Sequence, residues 1–298
     1  MQLKKAIFLI PVMLFAALIF PVFFQPTWHN VEDIETGKDS VALVGAGDIS
    51  VCGNIGDDKT AAILDRFDGT IAAFGDISNG HGMPDEYEGC FAWGRYKNRI
   101  MPAAGNHDYI APDAYGYYSY FGSRAGDPSK GYYSYNLGKW HVIVLNSNCE
   151  KVGGCDMGSG QGKWLKEDLA MNPSACTLAY FHHPPFSSEG DNDFSYPLWK
   201  ELYESGADLV LTGHEHSYER FHPLDGGGKR DDSGMQLIIV GTGGAPMRRE
   251  GATSPLAAVR NTSDWGVIKL ILNPESYSWE FIPVDGASFT DSGTRGCR

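Results

Sequence analysis

Short apolar runs recur along this chain, and five of them end alike, in glycine or histidine beside a carboxylate, amide or imidazole. They are VALVGAGD (41–48), TIAAFGD (70–76), MPAAGNHD (101–108), TLAYFHHP (177–184) and ADLVLTGHEH (207–216). Each reads as a strand that delivers polar groups at its carboxyl end. Between them lie segments of helical character at 59–67, 86–98, 161–171 and 196–205. Alternating strands and helices imply parallel strands with crossover helices. Further on, 132–137 with 140–146, then 235–244, 265–272 and 277–284, read as antiparallel strands and hairpins. The tyrosine-rich stretches 115–121 and 132–135 read as tyrosines alternating along strands, with a pocket lining as the other reading.

The expected fold class is therefore α/β, with two packed mixed β-sheets flanked by helices. Open α/β sheets bind ligands beyond the carboxyl ends of their strands. The five polar ends are expected to meet at one edge.

Ahead of this pattern, Lys4 and Lys5 precede an uncharged apolar run from Ala6 to Phe24. That run is longer than the usual core of a cleavable signal and reads as an uncleaved N-terminal anchor, with an atypical cleaved signal as the alternative. Residues 1–30 are thus expected to be a signal or anchor segment and 31–298 a single catalytic domain, extracytoplasmic, either membrane-anchored or secreted.

Six cysteines in an exported chain point to disulfides. The pairs expected are Cys149–Cys155, Cys52–Cys90 and Cys176–Cys297, although spacing alone does not fix connectivity. With 24 basic and 37 acidic residues and a formal charge of -13, the chain has no long basic block, so no nucleic-acid polymer is expected as a partner.

The polar ends hold Asp48, Asp76, Asn106, His107, Asp108, His182, His183, His214 and His216. Oxygen and imidazole donors without a thiolate suit zinc, manganese or iron. They are too many for one tetrahedral ion and enough for two that share a carboxylate. Two ions roughly 3.5–4 Å apart can activate a bridging hydroxide and clamp a phosphoryl group. A lone GD or HH says little, but GNHD and GHxH after two GD strand ends are hard to explain by packing.

These motifs, with GYYSYNLG (131–138), GTGG (241–244) and HSYERF (216–221), resemble the calcineurin-like metallophosphoesterases, and among them the purple acid phosphatase-like branch. The resemblance implies that Asp48 and His216 bind a first metal and that Asp76 bridges. It implies that Asn106, His182 and His214 complete the second metal, with His107 near the leaving group and His183 close to the phosphate. Asp108 is expected to orient or charge-stabilise a histidine.

One departure matters. The purple branch carries tyrosine three residues after the bridging aspartate, where this chain has Asn79. The wider superfamily supplies a histidine from a DxH motif, where this chain has Ser50, so the first metal lacks its usual fourth protein ligand. Two divalent ions with two aspartates and a hydroxide carry the same net charge as a ferric–divalent pair that also has a tyrosinate. The expectation is a divalent pair and a colourless protein, with His81 as a candidate substitute ligand or a solvated loop histidine.

The function expected is hydrolysis of small phosphate monoesters by attack of a metal-bridging hydroxide, with His107 protonating the leaving oxygen. The alternatives are a phosphodiesterase or nucleotide hydrolase with the same metals, and a non-catalytic metal-binding module.

Overall fold

The computed structural model describes residues 39–248 and 251–298. The expected N-terminal segment lies outside the described residues. Among those described, no helix is long and apolar enough to cross a membrane.

One sheet contains β1 (Val41–Ala46), β2 (Thr70–Phe74), β3 (Ile100–Ala103), β11 (Gly266–Asn273), β12 (Ser276–Pro283) and β13 (Ser292–Gly296), in the order β13-β12-β11-β1-β2-β3. The other contains β4 (Tyr133–Leu137), β5 (Trp140–Val144), β6 (Cys176–Tyr180), β7 (Leu209–Thr212), β8 (Tyr218–Phe221), β9 (Gln236–Val240) and β10 (Ala257–Asn261), in the order β10-β8-β9-β7-β6-β5-β4. Both sheets are mixed, as expected. One expectation is corrected: β9 and β5 are not purely antiparallel, because β9 runs parallel to β7 and β5 parallel to β6.

Register decides what the strand ends deliver. Leu43 aligns with Thr70 and Ile71 with Ile100, so the chain leaves β1, β2 and β3 at one end of the first sheet. In the second sheet Leu178 aligns with Leu209 and Leu209 with Gln236, and β6, β7 and β9 also finish together. The two finishing ends are bonded to each other, with the Gly47 N–H donating to the Val240 carbonyl at 2.8 Å and the Gly243 N–H to the Gly47 carbonyl at 2.9 Å.

The facing sheet surfaces enclose the larger core, where Phe74 meets Tyr180 edge-on at 5.6 Å and the Tyr180 hydroxyl donates to the Met101 carbonyl at 2.9 Å. A second core lies under α4 (Gly160–Met171) and α5 (Tyr196–Glu204), where Leu165, Leu198, Trp199 and Leu202 cover Val210, Leu237 and Ile239. Truncating a side chain such as the fully buried Trp199 to alanine costs about 3–5 kcal/mol.

Two further local expectations are revised. The helix read at 86–98 is α2 (Pro84–Gly89) followed by a 3₁₀ stretch (Ala92–Arg99), broken where Cys90 bonds Cys52. The stretch 115–121 is not a strand but α3 (Tyr115–Phe121), whose Tyr120 and Phe121 rings pack on Tyr87 and Phe91. Clustered aromatics satisfy a helix face as readily as a strand face, and here α2 supplies the surface they cover. α1 (Gly56–Leu64) follows β1, as the pattern at 59–67 suggested. The three expected disulfides are the ones formed: Cys52–Cys90, Cys149–Cys155 and Cys176–Cys297.

Candidate metal centre

The loops after β1 and β2 turn abruptly at their first polar residue. Asp48 has φ 57° and Asp76 φ 49°, and His214, beyond β7, has φ 70°. Left-handed backbone is disfavoured for side-chain-bearing residues, each instance costing about 1–3 kcal/mol, and it persists where the surroundings enforce it. Here the enforcers are hydrogen bonds. The Asp48 N–H donates to the Gly75 carbonyl at 3.0 Å, the His214 N–H to Asp48 Oδ2 at 2.7 Å and the His107 N–H to Asp76 Oδ1 at 2.8 Å. Two glycines permit the close approach. A Cβ on Gly75 would stand 2.4 Å from His182 Nδ1, and one on Gly105 would stand 2.1 Å from Asp76 Oδ1.

Asp48, Asp76, Asn106, His182, His214 and His216 converge in this way. Asn106 Oδ1 lies 3.1 Å from both His182 Nε2 and His214 Nδ1. His182 Nε2 is also 3.3 Å from Asp76 Oδ2, and His216 Nε2 is 3.3 Å from Asp48 Oδ1. Asp48, Asp76 and His182 each offer a donor atom within 4.8 Å of the others, and so do His182, His183 and His214.

The outer nitrogens of two rings are already engaged. His182 Nδ1 bonds the Phe74 carbonyl at 2.9 Å and His216 Nδ1 the Pro246 carbonyl at 2.8 Å. A carbonyl accepts only, so each Nδ1 carries the proton and each Nε2 turns a lone pair toward the carboxylates. Lone pairs facing carboxylate and amide oxygens need positive charge between them. The residues present therefore fit metal cations.

The same charges set the proton affinities of the cluster. Burial pushes His182 down, but Asp76 and Asp48 outweigh it and raise the ring to about 9. Burial pushes Asp48 up, yet His216, His182 and His214 together hold it down at about 2. His214 falls to about 4 through burial and its cationic neighbour His182.

His107 stands at the rim, its Nδ1 bonded to the Gly80 carbonyl at 2.8 Å and its Nε2 4.0 Å from Asp76 Oδ2. His183 is buried, its ring centroid 4.5 Å from that of His214, and burial followed by His182 and His214 lowers it to about 2. Its Nδ1 is 2.8 Å from Ser147 Oγ, which in turn accepts the His183 N–H at 2.9 Å. Beside it opens a cavity of about 250 Å³ lined by Ser147, Asn148, Cys149, Glu150, Lys151 and Phe194. The partly exposed Phe194 ring stands edge-on to His183 at 5.2 Å.

Asp108 departs from expectation, because its hydrogen bonds reach no histidine. Its carboxylate accepts from the N–H groups of Gly105 at 2.8 Å, Ser78 at 3.3 Å and Ile77 at 3.4 Å, and from the Tyr87 hydroxyl at 2.6 Å. It ties the loop after β2 to the loop after β3. The oppositely charged neighbours Glu219 and Arg220, which the sequence suggests as an ion pair holding the loop after His216, do not pair with each other either. Arg220 holds Asp291 at 2.7 Å, and Glu219 takes the Ser188 hydroxyl. Sequence reasoning missed Ser147 and Phe194, whose only signal is proximity in space to His183.

A family model described as calcineurin-like phosphoesterase matches residues 42–218. Purple acid phosphatase 18 of Arabidopsis thaliana is 36% identical over 136 residues, which is 43% of this chain and 29% of that protein. Purple acid phosphatase 15 of the same plant is 30% identical over 173 residues, covering 51% of this chain and 32% of that one. The aligned region thus spans roughly a third of the length of these relatives. Among solved structures, purple acid phosphatase PPD1 from yellow lupin (Lupinus luteus) seeds superposes with a TM-score of 0.73 at 18% identity, covering 88% of this chain and 54% of that one. GAP50, described as the anchor in the inner membrane complex of Plasmodium, gives 0.66 at 13% identity, covering 88% and 90%. These two likenesses concern the fold alone.

Proposed function

Because this chain belongs to the calcineurin-like phosphoesterase family, we propose that it is a dinuclear metal-dependent phosphoesterase that hydrolyses small phosphate monoesters. In this reading Asp48, Asp76 and His216 hold one divalent ion, and Asp76, Asn106, His182 and His214 hold another, zinc, manganese or iron. One observation carries the reading. The His182 and His216 Nε2 lone pairs and the Asp48, Asp76 and Asn106 oxygens point at each other across 3.1–3.3 Å.

When bound, two such cations supply Lewis acidity, acidifying a shared water and drawing charge from phosphoryl oxygens. The remaining work falls to the chain. With both ring nitrogens protonated, His107 keeps its Nδ1–H on the Gly80 carbonyl and offers its Nε2–H to the leaving oxygen. Ser147 Oγ, already accepting the His183 N–H, spends its own hydrogen on His183 Nδ1. That leaves the neutral His183 ring with an Nε2–H to donate to a phosphoryl oxygen. The cavity beside His183 takes the ester's organic group, with the Phe194 ring as one wall.

Long polyanions are disfavoured by the charge of -13, whereas a cation cluster at contact distance outweighs surface charge screened over about 8 Å. Three disulfides support an extracytoplasmic location, with residues 31–298 as the catalytic domain and 1–30 as its signal or membrane anchor.

The test is elemental analysis of purified protein together with hydrolysis of p-nitrophenyl phosphate and its bis-ester, with and without chelator. Two ions per chain and chelator-sensitive monoester turnover are expected. Preference for the bis-ester would reassign the substrate, and bound ions without turnover on either would make the protein a binding module.

A further inference from the structure

The first ion has only three protein ligands in the reading above, and the two residues that usually complete it are missing. Ser50 is turned away, its Oγ donating to the Ile77 carbonyl at 2.8 Å. His81 is turned out too: its side chain is 77% exposed and lies 3.5 Å from Glu86. What faces the three ligands is Asn79. Its Nδ2 lies 3.2 Å from Asp76 Oδ2, 3.5 Å from Asp48 Oδ1 and 3.5 Å from His216 Nε2.

Those distances have a meaning. Nitrogen and oxygen ligands at 2.0–2.2 Å from a tetrahedral ion stand about 3.3–3.6 Å from one another. The three Asn79 spacings and the 3.3 Å between Asp48 Oδ1 and His216 Nε2 are four edges of such a tetrahedron, with the amide at its remaining corner. An amide N–H would repel a cation held there. A half-turn about the last side-chain bond puts the carbonyl oxygen at the same corner, and that oxygen is a metal donor.

The corner is held firmly. The Asn79 N–H donates to the Ser50 carbonyl at 2.8 Å, the preceding Ser78 N–H to Asp108, and Ser78 Oγ to Glu86 at 2.7 Å. Such support outlasts the loss or gain of an ion, because none of it comes from the ligand atoms.

We propose that Asn79 Oδ1 is the fourth protein ligand of the ion held by Asp48, Asp76 and His216. The assignment rests on the dinuclear reading. A neutral amide in place of a phenolate removes one negative charge, so the position selects a divalent ion over a ferric one and yields no phenolate-to-iron absorption.

Zinc titration of the stripped protein tests this. Wild type should take two ions. Asn79→Ala should keep one tightly and bind the other about 10- to 100-fold more weakly or worse, since loss of even an outer-sphere partner costs that much. Asn79→Asp retains an oxygen at the same reach and should take two. A residue that merely donated N–H groups to Asp76 would show the reverse for aspartate, which places another carboxylate against two. Asn79→Tyr, loaded with ferric iron, should turn coloured through a phenolate charge-transfer band. Unchanged zinc affinity in the alanine protein, an aspartate protein no better than the alanine one, or a folded, iron-loaded tyrosine protein without the band would each overturn the assignment. If the alanine protein does not fold, the aspartate and tyrosine proteins decide it. Wild type that fails to take two ions would sink the dinuclear reading and the assignment together, whereas two ions bound with the same affinities in wild type and alanine would sink the assignment alone.

Discussion

The Tyr87 hydroxyl donates to Asp108 at 2.6 Å, with both residues buried. Burial, followed by repulsion from Asp76, pushes the Asp108 carboxyl up to about 7. The donors around it, one of them Tyr87, are what allow an acid to sit there at all. Removing one should expose that cost. Tyr87→Phe is expected to lower stability by about 1–3 kcal/mol, read from the urea midpoint. Asp108→Ala, which frees the N–H groups of Ile77, Ser78 and Gly105, should also weaken metal retention. An unaltered midpoint in the phenylalanine variant would mean the bond contributes nothing.

Asp76 and His107 should separate binding from turnover. Asp76→Ala is expected to cost metal and activity together, because both sets of donors converge on its carboxylate. His107→Ala should leave metal content intact and cut kcat by about 100- to 10,000-fold, the usual range for a lost general acid. Metal analysis beside steady-state kinetics reads both, and full activity in either variant would contradict the assignment.

Cation removal should soften the whole domain, since the candidate ligands come from both sheets. A ligand at 100 times its Kd stabilises by about 2.7 kcal/mol. Chelation is therefore expected to lower Tm, and re-addition of zinc or manganese to restore it. A melt indifferent to chelator would argue against tight sites.

Acid should act through Asp291 as well. Burial pushes this carboxyl up, but the bonds from Arg220, Tyr218 and Trp279 outweigh it and hold it below the ordinary aspartate range. Because the folded value is depressed, its stabilisation is present above the unfolded aspartate pKa of about 3.9 and is lost as pH falls through the lower folded value. Asp291→Asn should thus be less stable than wild type near neutrality, with the gap closing under acid conditions. A gap that stayed constant with pH would contradict this.

Breaking Cys176–Cys297 should be costly, because it ties β6 to the end of the chain across 121 residues. Cross-links over about a hundred residues restrict the unfolded chain by roughly 4–5 kcal/mol in the entropic account. Replacing both cysteines with serine is expected to lower the urea midpoint more than replacing Cys149 and Cys155, which close a loop of only 6.

The strand ends were legible because each announces itself chemically, as an apolar run, a glycine and then a donor. What was not legible depends on direction and register. Glu219 and Arg220 are chain neighbours on β8, and successive strand residues point to opposite faces, so they serve Ser188 and Asp291 instead of each other. Asp108 follows His107 in sequence, yet its carboxylate turns inward to backbone N–H groups while the imidazole faces the rim. The tyrosines of 115–121 satisfy either period, and only the apolar side of α2 decides for the helix. Asn79 was visible as a departure, but its orientation toward three donors was not.

The left-handed turns at Asp48, Asp76 and His214 bear on any attempt to borrow this centre. Grafting the same side chains onto an unrelated scaffold would leave them splayed, since their aim is set by main-chain kinks and not by rotamers. A designer would have to transplant three whole strand-to-loop corners, each with its glycine, before the graft could seize an ion.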